Sequence, residues 1–318
     1  MPTTNHASRS MPPRQDDASV TEQADVTVVI PSYNRAIGCR GAILSVLSQT
    51  LPPREILLVV DGVDTEAYAS IEDDIADERF RVLRPGRQQG PSEARNLGVV
   101  EATSRCVAFL DDDDTWLPTK LERQLAFVRS TVEDNAPFVS TTAIAALSID
   151  RATRWPLRDP QPGEPVAEFL FGLGAPPHRG RVIQTSTFLT TRDLAIAIPM
   201  RGRAYEDWDW LIRASLAAPH VHLPEPLVIF HQSAGSLTSQ LRFDEAEDWL
   251  ETLRPLISPE AYAAACLTVL ANRAAICGTA VDLMRIYGRS FRSKPSLRHL
   301  VEFPARIVAQ KRTIRRGS

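Results

Sequence analysis

Short, unbroken apolar runs alternate with segments of helical spacing between residues 25 and 110. Apolar runs of this length, rich in Val, Ile and Leu, are typical of strands that are buried on both faces. The runs are 26–30, 55–62, 79–83 and 105–110, and the helical segments between them are 42–50, 65–76 and 91–102. Strands that alternate with helices in this way predict a parallel α/β sheet with right-handed crossovers.

The pattern is less regular beyond residue 110. A segment at 151–181 is rich in Pro and Gly, which predicts long loops beside a short helix. Strand character returns at 182–190 and in a run at 221–230 that prolines interrupt. Helical spacing covers 205–216 and most of the chain after Asp244. Ser92, next to Pro91, is a plausible cap for the helix at 91–102.

These patterns divide the chain into three parts. Residues 1–24 are polar and rich in Pro, Ser and Thr, which predicts a disordered tail. We expect a folded α/β domain at 25–235, and a helical extension with a basic tail at 236–318.

Composition narrows the class of protein. The chain is 43% hydrophobic and has a formal net charge of -3, so its overall charge predicts neither a nucleic acid nor an acidic partner. Its four cysteines are scattered without metal spacing, which favours free thiols in a reducing compartment. The N-terminal tail has no apolar stretch typical of a signal peptide. We therefore expect a cytoplasmic protein.

Chemically suggestive residues follow all four predicted strands. Residues 31–35 follow the first strand, Asp61 the second, Arg84 the third and the run Asp111–Asp114 the fourth. Ligands bind at the carboxyl ends of the strands in open parallel sheets. These residues are therefore expected to meet at one ligand-binding edge.

The four consecutive aspartates carry the strongest chemical signal. One or two acids near a helix start would need no special explanation, because a helix N-terminus favours each by about 0.3–1 kcal/mol. Two carboxylates about 4 Å apart, however, repel by roughly 4 kcal/mol at an effective dielectric of about 20. A divalent cation reverses that cost, and carboxylate oxygens suit Mg²⁺ or Mn²⁺. The Gly of a calcium EF-hand loop is absent, because Trp116 stands at its position.

Five ordered segments resemble the family 2 glycosyltransferases, which are inverting enzymes of the GT-A fold. The segments are VVIPSYNR, EILLVVDG, GPSEARNLG, VAFLDDDDTWLPTKLERQL and YEDWDWLIRA, and they lie within about residues 25–235. The resemblance implies a mostly parallel GT-A sheet flanked by helices, with a Rossmann-like nucleotide-binding half and a helical C-terminal extension. It also implies a nucleotide-sugar donor and a glycan, lipid-linked or small-molecule acceptor. UDP is the commonest nucleotide among relatives.

The resemblance assigns donor and metal residues. The metal, Mg²⁺ or Mn²⁺, would bind a DxD motif at Asp111 and Asp113, with Asp113 the best single ligand and His231 a further one. The register of the motif within Asp111–Asp114 is ambiguous by one residue, and a lone histidine is more often structural. Residues implied at the donor nucleotide are Pro31, Ser32, Tyr33, Arg35, Asp61, Arg95, Asp111 and Asp112.

The resemblance also assigns a catalytic base. Inverting transfer needs one group to take the proton of the attacking hydroxyl. The family's Glu-Asp motif matches Glu206 and Asp207, which makes Asp207 the base and Glu206 its orienting partner, with Asp209 as a fallback. The alternative is that these acids only favour a helix start. The adjacent Trp208 and Trp210 are either core residues or sugar-stacking ones, and we expect one of them in the core.

Two segments depart from, or lie outside, the resemblance. PMRGRA at 199–204 stands where relatives often have a Gly, an aromatic and an acid, so the acceptor of relatives does not transfer to this chain. The C-terminal segment 285–318 is basic, and Glu302 is its single acidic residue. This predicts either peripheral contact with an anionic membrane at its inner face or a solvated helical tail. The basic residues are Arg285, Arg289, Arg292, Lys294, Arg298, Arg306, Lys311, Arg312, Arg315 and Arg316.

Three other classes of protein compete with this interpretation. A nucleotidyltransferase on a similar scaffold would release pyrophosphate from a nucleoside triphosphate. A non-catalytic protein would bind a nucleotide or glycan without turnover. A Rossmann dehydrogenase is disfavoured because no G-x-G-x-x-G follows the first strand. Nucleic acid is not an expected partner, because the chain has no recognised binding module.

Overall fold

The computed structural model describes residues 23–63, 66–148, 151–172, 181–231 and 241–293. Within them, nine strands form one sheet. The strands are β1 Ala24–Ser32, β2 Pro53–Val60, β3 Phe80–Leu83, β4 Cys106–Phe109, β5 Thr115–Trp116, β6 Val139–Ser148, β7 Arg151–Trp155, β8 Leu189–Thr191 and β9 His220–His231. The expected disordered tail at 1–24 lies outside the described residues, except that β1 begins at Ala24, one residue before the expected domain start.

Helices cover the sheet and form the C-terminal part of the described chain. The α-helices are α1 Ala36–Leu47, α2 Glu66–Asp74, α3 Pro91–Glu101, α4 Lys120–Thr131, α5 Val166–Phe171, α6 Arg192–Ala197, α7 Glu206–Ala217, α8 Phe243–Leu253, α9 Pro259–Ala265, α10 Ala271–Cys277 and α11 Ala280–Arg292. A π-helical segment, Cys266–Leu270, joins α9 to α10. None of the helices in the described ranges is long and apolar enough to span a bilayer.

The sheet has a parallel half and a mixed half. The strand order is β3-β2-β1-β4-β8-β6-β9-β5, with β7 paired to β6. The first four strands run parallel, whereas β4 and β8 are antiparallel. The predicted α/β fold class is confirmed, and the carboxyl ends of the four parallel strands meet at one edge as expected.

Close packing fixes α3 on this edge. Gly98 of α3 faces Val29 of β1, and a Cβ at Gly98 would lie 2.3 Å from a Val29 methyl carbon, Cγ1. Only glycine lets the helix approach the strand so closely. Val29 itself is fully buried, in the same cluster as Leu57 of β2 and Phe109 of β4. This contact holds α3 against β1.

The structure corrects the predicted elements in the middle of the chain. Strand β7 occupies the start of the predicted loop segment, and β6 has no counterpart among the predicted strands. The β6 sequence VSTTAIAALS is rich in Thr, Ser and Ala and has no continuous apolar run. Its pairing with β7, β8 and β9 orders it as a strand. The predicted strand at 182–190 contains a 3₁₀ turn, Thr185–Thr187, before β8. The run at 221–230, predicted to be interrupted by its prolines, belongs to the single strand β9. The register of its pairing with β6 shifts around Ala143 of β6.

The C-terminal helices share a core with the sheet. Leu250 of α8 and Leu270 of the π-helical segment belong to the same buried cluster as Phe109 of β4 and Trp210 of α7. The described part of the extension therefore packs directly on the α/β domain. Residues 294–318, which include most of the basic tail, lie outside the described residues.

Candidate active site

The end of β2 organises the loop that follows β3. Asp61 is buried, and its two carboxylate oxygens each accept a hydrogen bond at 2.7 Å, from the backbone N–H groups of Gln89 and Gly90. Its own N–H donates to the carbonyl of Ser32 at 2.8 Å. Asp61 therefore connects three of the loops at this edge. This arrangement was not anticipated from the resemblance, which places Asp61 at the nucleotide itself.

A cavity of about 370 Å³ opens between these loops. Tyr33, an expected donor residue, lies in its wall, and its hydroxyl donates to Gln88 Oε1 at 3.4 Å. Ligand pockets are typically of about this volume or larger. Arg87 adds positive charge to the lining, whereas Arg84, also in the lining, is paired with Glu72 at 2.7 Å. The cavity residues are Tyr33, Asn34, Val60, Gly62, Val63, Arg84, Gly86, Arg87 and Gln88.

The four aspartates alternate between solvent and the protein interior. The side chains of Asp111 and Asp113 are 27% and 29% exposed, whereas Asp112 and Asp114 are buried. Asp112 Oδ2 accepts a hydrogen bond from Ser32 Oγ at 2.7 Å. Both members of the expected DxD pair therefore face outward. This alternation favours Asp111 and Asp113 over the other possible register, Asp112 and Asp114.

Ser186 holds both ends of the acid run. Its hydroxyl donates to Asp114 Oδ2 at 2.6 Å and accepts from the Asp111 N–H at 3.1 Å. Asp114 Oδ1 also accepts from the backbone N–H of His231 at 3.2 Å, which places His231 beside the run with its ring exposed. The sequence offered no signal for Ser186, because it lies more than 70 positions after the acid run.

Burial changes the acidity of the two inward carboxyls. It raises the pKa of Asp112 to about 6 and that of Asp114 to about 8, and the neighbouring negative charges act in the same direction. A protonated Asp114 bears no charge at neutral pH. The mutual repulsion within the run is therefore smaller than four ionised carboxylates would produce.

Two arginines neutralise the outward carboxylates. Arg35, an expected donor residue, donates to Asp113 Oδ2 at 2.6 Å and lies 3.4 Å from Asp112 Oδ1. Arg95 is buried and bridges Asp111 Oδ1 at 2.6 Å and Glu206 Oε1 at 3.1 Å. Burial lowers the pKa of Arg95, but the charges of Asp111 and Glu206 outweigh it and raise the pKa overall. Arg95 thus links the acid run to the helix of the expected base.

The α7 helix begins directly at the two acids expected to be catalytic. Tyr205, before it, has a left-handed backbone with φ of 57°. Such a conformation costs about 1–3 kcal/mol and is often found at functional sites. Asp207 is half-buried and its Oδ1 accepts from the Trp208 N–H at 2.8 Å. Burial and the charge of Glu206 raise the pKa of Asp207.

The remaining candidates on α7 have structural positions. Asp209, the fallback base, is buried and forms ion pairs with Arg201 at 3.0 Å and Arg213 at 2.7 Å. Of the two tryptophans, Trp210 is the core residue, because it is buried and stacks on Phe188 at a centroid distance of 5.4 Å. Asp209 therefore holds α7 in place and has no free carboxylate face for a substrate.

The loop before α7 is held by α3. Asn96 forms two hydrogen bonds of 2.9 Å with the backbone of Met200, one to its carbonyl and one from its N–H. Ser92 Oγ donates to the carbonyl of Gly202 at 2.7 Å. The predicted capping role of Ser92 is wrong, because the α3 cap is Gly90 and no side chain caps it. Ser92 instead binds the loop at 199–204, whose sequence PMRGRA departs from that of the family.

The outward carboxylates suit a hard divalent cation. Asp111 and Asp113 offer only oxygen ligands and are reachable from solvent. Among the described residues, no group of three or more His, Cys, Asp or Glu side chains could hold a metal by itself. Mg²⁺ is usually bound by one or two carboxylates together with substrate phosphates. The residues therefore fit a metal that binds jointly with a diphosphate.

Residues 27–154 match the model for glycosyl transferase family 2. The chain carries a family 2 glycosyltransferase domain. An uncharacterized glycosyltransferase of Rickettsia bellii is 35% identical over 123 residues, which are 39% of this chain and 17% of that protein. The amylovoran biosynthesis glycosyltransferase AmsB of Erwinia amylovora is 27% identical over 243 residues, 72% of this chain and 77% of AmsB. This chain thus covers less than a fifth of the Rickettsia relative but most of AmsB.

A solved structure extends the likeness to most of the length of the chain. The crystal structure of S. aureus TarS 1-349 in complex with UDP-GlcNAc has a TM-score of 0.64 and 14% sequence identity. The match covers 90% of this chain and 83% of TarS 1-349. At this level of identity the likeness concerns the fold alone. It confirms the expected GT-A type of α/β architecture.

Proposed function

We propose that this chain transfers a glycosyl group, with inversion, from a UDP-sugar to a hydroxyl group of a glycan, lipid-linked or small-molecule acceptor in polysaccharide biosynthesis. The observation that carries the proposal is the Arg95 bridge between Asp111 and Glu206. It places a candidate diphosphate site and a candidate base side by side at one edge of the sheet. AmsB, whose name refers to amylovoran biosynthesis, supports the polysaccharide context, and the UDP-GlcNAc bound to TarS supports the nucleotide.

The donor would occupy the cavity and the acid run. Its nucleoside would lie between Tyr33, Gly62 and Gln88, with its diphosphate directed towards the adjacent acid run. Asp111 and Asp113 would hold Mg²⁺ or Mn²⁺, with His231 near the same position. When bound, that ion supplies positive charge that stabilises the leaving nucleoside diphosphate. Pro31 and Ser32 would support the nucleoside through the backbone at the end of β1, since Ser32 also binds Asp112.

Asp207 would take the proton of the acceptor hydroxyl. A base works best when its pKa is close to the working pH, and burial raises the pKa of Asp207 in that direction. Glu206 accepts a hydrogen bond from Arg95 and lies next to Asp207, whose pKa its negative charge helps to raise. The hydroxyl oxygen would attack the anomeric carbon on the face opposite the diphosphate, which gives inversion.

The loop at 199–204 would form the acceptor side. Asn96 and Ser92 fix its backbone, and it leads directly into the base helix. The exposed side chain of Arg203 lies four residues before Asp207 and would meet the acceptor first. We place the reaction in the cytoplasm, a proposal supported by the four cysteines, all of which are free thiols.

The test combines binding with product analysis. UDP binding is measured by calorimetry with and without Mn²⁺, and release of UDP from UDP-sugars is followed for the wild type, Asp113→Asn, Asp207→Asn and the exposed control Asp134→Asn. We expect Asp113→Asn to lose Mn²⁺-dependent UDP binding, Asp207→Asn to bind but not to turn over, and the control to behave as the wild type. Full turnover by both site variants would refute the assignment. Pyrophosphate release from a nucleoside triphosphate would instead indicate a nucleotidyltransferase.

A further inference from the structure

Helix α11 has an apolar stripe on its solvent side. Val281, Met284 and Phe291 are 59–68% exposed, although each carries a large apolar side chain. They are three and seven residues apart, a spacing that places them on one face of the helix. A row of large apolar side chains on one solvent-facing surface is more informative than single exposed ones, because isolated ones are normal.

The opposite face of α11 is already used by the fold. Ile286 is fully buried in the main core cluster, and the buried Ser290 donates its hydroxyl to the carbonyl of Ala263 at 3.1 Å. Thr279 caps the helix start and accepts a hydrogen bond from the Asp282 N–H at 3.2 Å. The helix is therefore fixed on the protein, while its stripe is exposed among the residues that the structure describes.

Positive charge lies along one side of the stripe. Arg285 and Arg292 are exposed and, at 3.6 residues per turn, both project beside the stripe. Asp282 and Glu247 lie near Arg285, at 3.5 and 3.6 Å, so part of its charge is compensated. The sequence that follows, 294–318, contains seven Lys or Arg residues against the single acid Glu302. Apolar side chains flanked by arginines and followed by a basic segment suit a surface that is both apolar and anionic.

We propose that the α11 stripe is a docking surface for an anionic lipid bilayer, with Val281, Met284 and Phe291 inserted among the acyl chains and Arg285 and Arg292 at the headgroups. In-plane helices bind membranes in this way, through apolar burial together with attraction to anionic lipids. A second copy of the chain is a poorer occupant, because the same arginines and basic segment would face each other across a symmetric interface. The surface is independent of the proposed transfer chemistry, since it shares no residue with the acid run or the base helix.

The experiment uses the full chain and vesicles of two compositions. Binding is measured by flotation with phosphatidylcholine vesicles and with vesicles that contain phosphatidylglycerol. The stripe variant is Met284→Gln with Phe291→Gln. Its matched control is Leu157→Gln with Leu216→Gln, which changes two leucines that are each 62% exposed elsewhere on the surface. A charge variant, Arg285→Gln with Arg292→Gln, tests the electrostatic part, and thermal unfolding checks that each variant is folded.

We expect the wild type and the control to bind the anionic vesicles equally. The stripe variant should bind at least about tenfold more weakly, because it removes most of the inserted apolar area. The charge variant should lose at least about fivefold, and binding should weaken with salt. Wild-type protein that fails to float with anionic vesicles, or a stripe variant that binds as well as the control, would overturn the proposal. So would a wild-type dimer that only the stripe variant dissociates.

Discussion

The bridge formed by Arg95 provides the sharpest test of how the site is built. Replacing Arg95 with Met keeps a long apolar side chain but removes the guanidinium from between Asp111 and Glu206. The Arg95 side chain is only 5% exposed, so water cannot replace it at its own position. Removing one partner of a buried ion pair costs about 3–5 kcal/mol. Because both carboxylates are partly reached by solvent, we expect about 2–4 kcal/mol.

A surface pair of the same chemistry serves as the control. Arg40 binds Asp74 at 2.7 Å, close to the 2.6 Å of the Arg95–Asp111 pair, but both side chains are 48% exposed. Exposed ion pairs contribute about 0–1 kcal/mol. Arg40→Met should therefore change the free energy of unfolding by less than about 1 kcal/mol. The comparison separates the effect of burial from that of losing an arginine.

Urea unfolding at pH 7 measures both variants, and a double-mutant cycle isolates the bridge. Glu206→Gln in the Arg95→Met background removes a carboxylate that has lost its partner, so the two changes should be coupled by about 1–2 kcal/mol. Arg95→Met should also weaken UDP binding in the presence of Mn²⁺, because Asp111 loses its fixed orientation. The explanation is refuted if Arg95→Met costs no more than Arg40→Met, or if the two changes in the cycle are additive within about 0.5 kcal/mol.

Three further predictions concern the base, the metal and the packing of α3. Because the pKa of Asp207 is raised, and a base must be deprotonated, kcat should rise with pH along a limb well above the ordinary carboxyl value of 3.8; a flat profile down to pH 5 would contradict this. Asp113→Asn should lower the affinity of the protein for Mn²⁺ in the presence of UDP at least about tenfold in calorimetry, whereas unchanged affinity would exclude it as a ligand. Gly98→Ala should lower the free energy of unfolding by about 1–3 kcal/mol through overpacking against Val29, and Val29→Ala should relieve part of it. The helical control Gly288→Ala, with open space around its Cβ, should be neutral or stabilising by up to about 1 kcal/mol; equal losses at both glycines would contradict the packing argument.

The sequence predicted the parallel half of the sheet because its strands are buried on both faces. Runs such as VTVVI have no other stable environment, so β1, β2 and β4 appear where expected. Strand β6 has no such run, because its Thr, Ser and Ala residues are ordered by neighbouring strands from distant parts of the chain. Local pattern therefore identifies a buried strand only where its side chains are apolar, because β6 is buried as well but through Thr, Ser and Ala.

The candidate site was likewise predictable where local sequence carries the signal, and not where distant residues meet. Repulsion among the four aspartates pointed to a cation, and the resemblance named Asp207. Local sequence could not reveal that Ser186 holds both ends of the acid run, or that Arg95 joins it to Glu206, because these contacts connect residues 16 to 111 positions apart. It also could not show that Asp61 binds backbone amides, since that depends on how the loop after β3 folds back.

The hydrogen bonds of Ser92 and Asn96 with the loop before α7 are made to its main-chain atoms. Contacts of this kind fix where a loop runs without constraining which side chains it carries. An exposed residue such as Arg203 can therefore be exchanged while the path of the chain towards the base stays the same. A change of acceptor preference could thus arise by substitution within this loop alone, with no accompanying rearrangement of the donor half.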